Sequence, residues 1–261
     1  MRTRSGVGLA IFLLATFAAI AVMLLRQPQS EPIIQGKRLS VWLTGYRTQG
    51  VNPQAWAKAD EILLAVGTNA IPTLLRMLRQ QDSPFKQLLI HLSQLQHIVR
   101  LRFIRAEDRH YQAAIAFAKL GAAASEAVPA LMEIANENIS ASSDFWSINA
   151  LASIGPPASN AIPFLIRSVT NRTMELRLSS ITALDQIRSQ PELTVPALTN
   201  ALYDQQFMVR YYAAMALGKL GPVAIQATPA LTELLHDPDH SVRQGAALAL
   251  QQIQQRRTGE K

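Results

Sequence analysis

The sequence predicts an all-α protein: a right-handed α-solenoid of stacked helix pairs behind one N-terminal transmembrane helix. Three observations predict it. A Pro-x-Leu signature recurs at Pro129, Pro163, Pro196 and Pro229, with spacings of 34, 33 and 33 residues. An arginine follows the last three of these prolines at a constant interval of 14 residues, at Arg177, Arg210 and Arg243. Upstream, no residue from Gly6 to Leu25 is charged. A fixed period of this length marks units that each bury an apolar face only against their neighbours.

Composition agrees. The 261 residues are 49% apolar, too many for a disordered chain. The absence of cysteine excludes disulfides, thiolate metal sites and a cysteine nucleophile. The net charge of +7 divides unevenly. Residues 1–26 carry three arginines and no acid, which leaves +4 over residues 27–261. The remainder is only mildly basic, and no nucleic-acid partner is implied.

The uncharged run GVGLAIFLLATFAAIAVMLL has 20 residues. At about 1.5 Å per residue it spans about 30 Å, the thickness of a bilayer core. Three fates are open: an uncleaved signal anchor over 6–25, a signal cleaved after Ala19-Ile20-Ala21 with release to the periplasm, or a buried helix of a soluble domain. The apolar run continues through Val22-Met23-Leu24-Leu25, which favours the anchor. Arg2 and Arg4 precede the run, so by the positive-inside rule the solenoid lies on the extracytoplasmic side. Residues 27–36, QPQSEPIIQG, read as a short extended linker. The solenoid is expected over 37–255, with a tail at 256–261.

Each repeat unit reads as helix, short polar turn, helix, glycine turn. The Pro-x-Leu proline belongs in the first helical turn, where its missing N–H costs nothing. Gly121, Gly155 and Gly221 close the second helices. Ala213, Ala216, Ala246 and Ala249 permit close helix approach. The turn-and-helix pattern is carried by Asp204, Val209, Arg210, Ala213, Ala216 and Leu217. It recurs in Asp237, Val242, Arg243, Ala246, Ala249 and Leu250. These residues resemble the HEAT-repeat family, in particular the short bacterial type also found in phycobilin lyases. The stretch GKRLSVWLTGY (36–46) resembles the start of membrane-anchored bacterial HEAT-repeat proteins. The resemblance covers 107–255 well and 39–80 weakly, and it implies a fold of about five or six helix pairs.

Departures from the pattern are informative. The repeat opened by Pro163 has Asn171 in its turn where aspartate is expected, and the one opened by Pro129 has Asp144 where the others have arginine. Pro72 and Pro129 are 57 residues apart, so about 24 extra residues lie between Arg79 and Asp108. The extra segment reads as one long helix over about 84–105. An apolar stripe of Leu88, Leu92, Leu95 and Val99, with Phe85 and Phe103 at its ends, is expected to be buried. Arg100, Arg102 and Arg105 form a basic patch that faces solvent or anionic lipid.

Few constellations point to chemistry. The sequence has neither a G-x-S-x-G elbow nor a Gly-rich phosphate loop. The five histidines, His91, His97, His110, His236 and His240, include no His-Glu pair, so no metal or other cofactor is expected. The Arg177, Arg210 and Arg243 ladder reads as structural, because in HEAT-like stacks such arginines bond the aspartates and carbonyls of adjacent turns. Aligning the second helices on Leu120, Ile154, Ile187, Leu220 and Ile253 exposes a different row. Slots that are normally charged hold Tyr111, Phe145, Leu178, Tyr211 and Gln244, and one turn on, Ile115, Asn149, Thr182, Met215 and Leu248. The resemblance places second helices on the concave side. The row then reads as an apolar strip, more than a third exposed at its large residues, that binds a protein or peptide. Packing between repeats is the other reading of the same residues. The function expected is a non-catalytic interaction scaffold at the membrane. A lyase- or hydroxylase-type enzyme of HEAT-like fold and a rigid spacer are the alternatives.

Overall fold

The computed structural model describes residues 31–46, 52–95, 103–171 and 173–258. The expected anchor 6–25, together with His97, Arg100 and Arg102, lies outside the described residues.

A two-residue hairpin opens the fold. Strand β1 (Ile33–Ile34) pairs antiparallel with β2 (Lys37–Arg38). The turn between them, Gln35-Gly36, has φ of 51° and 73°. Two successive positive φ values suit the right-handed strand twist. Residues 31–36 are therefore folded onto the domain, not extended as a linker. Glu31 pairs with Arg76 at 3.2 Å and its carboxylate accepts from the Ser40 N–H, which holds the hairpin down.

Helices follow in pairs. The first pair is α1 (Leu39–Trp42) and α2 (Pro53–Val66). The second is α3 (Ile71–Leu78) and α5 (Ala106–Leu120), with α4 (Pro84–Leu95) inserted between them. Next come α6 (Val128–Asn136) with α7 (Ala141–Ile154), and α8 (Ile162–Ser168) with α9 (Met174–Ile187). The last are α10 (Pro191–Ala201) with α11 (Phe207–Leu220), and α12 (Thr228–Glu233) with α13 (His240–Thr258). The final helix thus runs into the stretch expected to be a tail.

Glycine sets the joint between units. Gly67, Gly121, Gly155 and Gly221 end their helices at φ of 60°, 51°, 74° and 69°, with ψ near −140°. That region is closed to residues with a Cβ. A 3₁₀ turn follows, and a proline then stands at the first or second position of the next helix. One joint differs. Arg188 and Gln190 supply the positive φ where glycine is absent, and α10 begins at Pro191. Pro196 consequently lies inside α10, not at its start as the Pro-x-Leu signature predicts. Without the glycine turn the helix begins a turn early and absorbs the proline.

The core is one continuous cluster from Leu39 to Ile253. Small side chains bring the second helices together. A Cβ added at Gly218 of α11 would stand 2.8 Å from the Ala249 Cα of α13. The second helices α5, α7, α9, α11 and α13 pack on one another along their lengths, whereas the first helices touch sparingly and largely through the 3₁₀ turns. Closer spacing in one row bends the stack toward that row, so the second helices line the inner face.

Candidate functional site

The arginine slots lie where second helices begin. Arg210 on α11 forks onto Asp237 of the following turn, Nε to Oδ2 at 2.7 Å and Nη2 to Oδ1 at 2.8 Å. Its Nη1 donates to the Asp204 carbonyl of its own turn at 2.8 Å. Arg177 repeats this with Asp204, at 2.9 and 3.0 Å, and with the Asn171 carbonyl at 3.0 Å. Arg243 donates to the Asp237 and Pro238 carbonyls at 2.7 and 3.0 Å. Each aspartate also caps backbone N–H groups of its own turn. Hydrogen bonds from Arg210 hold the Asp237 carboxyl below the usual carboxylate range, and Asp237 in turn raises Arg210. These side chains are engaged in joining turns.

The same slot in α5 holds His110, which is buried. Nε2 donates to the Gln80 carbonyl at 2.8 Å, which leaves Nδ1 to accept from the Ser142 hydroxyl at 3.0 Å. Neutral histidine therefore also bonds its own turn and the next unit. Burial lowers its pKa. In α7 the slot holds Asp144, 5% exposed, whose Oδ1 has no hydrogen-bond partner among the described residues. Burial alone raises its pKa to about 6. Among the described residues no three His, Asp or Glu side chains converge as a metal site would require.

The expected strip is not exposed as the sequence suggests. Tyr111, Ile115, Phe145, Leu178, Tyr211 and Met215 are all only partly exposed, and of the row's apolar side chains Leu248 alone is freely exposed, at 47%. The cause is packing between repeats. Tyr111 meets Trp146 of the next second helix edge-on, with ring centroids 5.2 Å apart. Phe145, in the same helix as Trp146, flanks that indole at 4.8 Å. Tyr211 lies over Gly245 of α13, where an added Cβ would approach the ring to 2.9 Å. A large side chain in one helix thus sits against the next helix, one position further along its frame.

Residues outside that alignment supply the exposed surface. Met208 and Tyr212 of α11 are 42% and 47% exposed and share a helix face with Met215, at i, i+4 and i+7. Their spacing is visible in the sequence, but Met208 and Tyr212 lie one position off the row of Tyr211, whose neighbour Gly245 withdraws it. Of the basic patch only Arg105 is described, and it is exposed.

The inserted helix departs most from expectation. Phe85, Leu88 and Leu92 are exposed at 69%, 52% and 48%, not buried. No described element packs along that face, because α4 stands off the stack.

A family model for HEAT repeats matches residues 195–260. No curated protein sequence matches this chain. Among solved structures, an engineered protein from the Northeast Structural Genomics Consortium is 20% identical, covering 82% of this chain and 96% of its own, with a TM-score of 0.44. A designed armadillo repeat protein in complex with the peptide (KR)4 is 15% identical, covering 82% and 98%, with a TM-score of 0.49. The HEAT match falls on the units in which Arg210, Asp237 and Arg243 join successive turns, so the sequence pattern and the clamp geometry rest on the same residues.

Proposed function

We propose that the protein is a non-catalytic scaffold, anchored in the membrane by residues 6–25, that holds a protein or an extended peptide along the inner row of second helices. The observation that carries this is the surface of that row. Its half-buried floor of Tyr111, Phe145, Leu178 and Tyr211 is apolar, and Met208, Tyr212 and Leu248 rise from it exposed. Aromatic side chains with a polar tip supply much of the binding energy at protein interfaces. A long shallow surface built by stacking suits recognition of an extended ligand. The uncharged 20-residue run and the arginines at its start support the anchor and an extracytoplasmic solenoid.

Site-specific photo-crosslinking in native membranes tests the reading. A benzophenone at position 212 or 248 is expected to capture one same partner, while one at exposed Thr232 on the outer row captures none. Tyr212→Ala combined with Leu248→Ala should abolish that capture without changing helical content. Capture from position 232 alone would place the partner elsewhere.

A further inference from the structure

Among the described residues, the insertion is tied down at its root. Asp82 accepts from the Ala106 N–H with both carboxylate oxygens, at 3.1 Å each, and pairs with Lys86. Lys86 Nζ also donates to the Ile104 carbonyl at 2.6 Å. The chain therefore leaves and re-enters the stack at one point. Beyond it stands α4, a 12-residue helix with Phe85, Leu88 and Leu92 on one face at i, i+3 and i+7. A helix of that length is marginal in water without a surface to bury its apolar side.

The root opens beside a cationic cleft. This cleft, about 410 Å³, is lined by Glu31, Arg38, Ser40, Arg76, Gln80 and Arg109 among others. Three guanidinium groups face one carboxylate. Arg109 is half-buried and spends one donor on the Ser40 carbonyl at 3.1 Å. Arg38 is exposed, with no ion pair among the described residues. Gln80 of the cleft is two residues before Asp82, and Arg109 three after Ala106, so the cleft and both stems of the insertion are contiguous. Glu31 also marks where the N-terminal segment joins the fold. Only Arg26 to Ser30 separate it from Leu25. Fully extended, that stretch reaches about 20 Å.

We propose that α4 is an interfacial membrane helix, with Phe85, Leu88 and Leu92 seated in the headgroup–acyl boundary and the arginine cleft against anionic headgroups; this rests on the anchored reading above. A helix with an apolar face and cationic surroundings lies in the plane of the interface, and its binding combines apolar burial with attraction to anionic lipid. The anchor keeps the helix within reach of the bilayer. Docking of α4 adds a second point of attachment and sets the tilt of the solenoid.

The chain has no cysteine, so single labelling sites are available. Full-length Leu88→Cys, and Gln226→Cys as a distant exposed control, are labelled with a fluorophore and reconstituted into phosphatidylcholine liposomes containing about 30 mol% phosphatidylglycerol. Flotation reports the anchor. Doxyl-phospholipid, a quencher within the bilayer, is expected to quench the label at 88 several-fold more than at 226, and aqueous acrylamide the reverse. Phe85→Ser with Leu92→Ser should remove the doxyl quenching while flotation persists. Protein that floats but whose label at 88 remains open to acrylamide overturns the docking and leaves the anchor. A label at 88 shielded from both quenchers means that the face is covered by protein, the chain's own or a second copy's, and also overturns it. Protein that does not float removes the anchor and the docking together. Undiminished doxyl quenching in pure phosphatidylcholine overturns the assignment of the cleft to anionic headgroups.

Discussion

At the residue scale, Arg210 and Asp144 occupy one position of the repeat and have opposite energetic consequences. Arg210 makes a forked pair with Asp237 and a bond to the Asp204 carbonyl, all partly buried, and a second, exposed bond to the Gln205 carbonyl. Charge-assisted bonds of this kind are the stronger class. Arg210→Ala is expected to cost about 2–3 kcal/mol. In a chain of this size that lowers the melting temperature by about 5–10 °C, measured by circular dichroism. Arg210→Lys should recover only part of the loss, since an ammonium cannot fork. Asp144 is buried without an ion partner among the described residues, and burial raises its pKa from the ordinary carboxylate range to about 6. The folded state then binds the proton more tightly than the unfolded state does. Stability is therefore greatest below the unfolded pKa and declines as pH rises toward the folded one. Asp144→Asn keeps the shape without the charge. It should stabilise the protein at pH 7 by something on the order of 2–3 kcal/mol, and do almost nothing at pH 4. Equal effects at the two pH values would show that the carboxylate is not the source of the penalty.

At the scale of elements, close approach of second helices is what a substitution tests best. Gly218→Ala should push α11 and α13 apart, because its Cβ would meet Ala249 backbone at 2.8 Å. A loss of about 1–3 kcal/mol is expected, as for other overpacked interiors, read by denaturant unfolding. Replacing 84–105 by a short Gly-Ser link should leave the helices from 127 onward folded, since units contact mainly their neighbours. Helical content and a preserved cooperative melt of the remainder would check this. The pairing of helices was legible in the sequence wherever glycine and proline punctuate the period. It is not legible at Pro196, because the punctuation there passes to Arg188 and Gln190, residues with no turn preference strong enough to signal it. The candidate surface was less legible. A slot's outward direction follows from helical period, but whether its side chain is covered depends on the next helix. Gly245 and Trp146 decide that for Tyr211 and Tyr111, and neither is predictable from the row that each covers.

For the whole molecule, the proposed anchor is the first thing to test. If 6–25 is retained, the mature protein purified from membranes should begin at the initiator region, and intact mass measures this directly. A new N-terminus near Val22 would end the anchored reading and leave the solenoid free in solution. The units differ in how they are joined. From α9 to α13 each joint is clasped by an arginine, and between α5 and α7 His110 does the same work through Gln80 and Ser142. At Asp144 the slot offers no cation to the turn holding Asn171. That boundary, between the third and fourth helix pairs, lacks among the described residues the clasp that Arg177, Arg210 and His110 give their joints, and only Asn149 Nδ2 reaches across it, to Ser179 Oγ at 3.4 Å. If the proposed anchor and partner load the stack from opposite ends, that boundary would be expected to yield first. The stack would part into two folded halves that re-engage when the load is released, much as a coupling is made to slip before the shaft breaks.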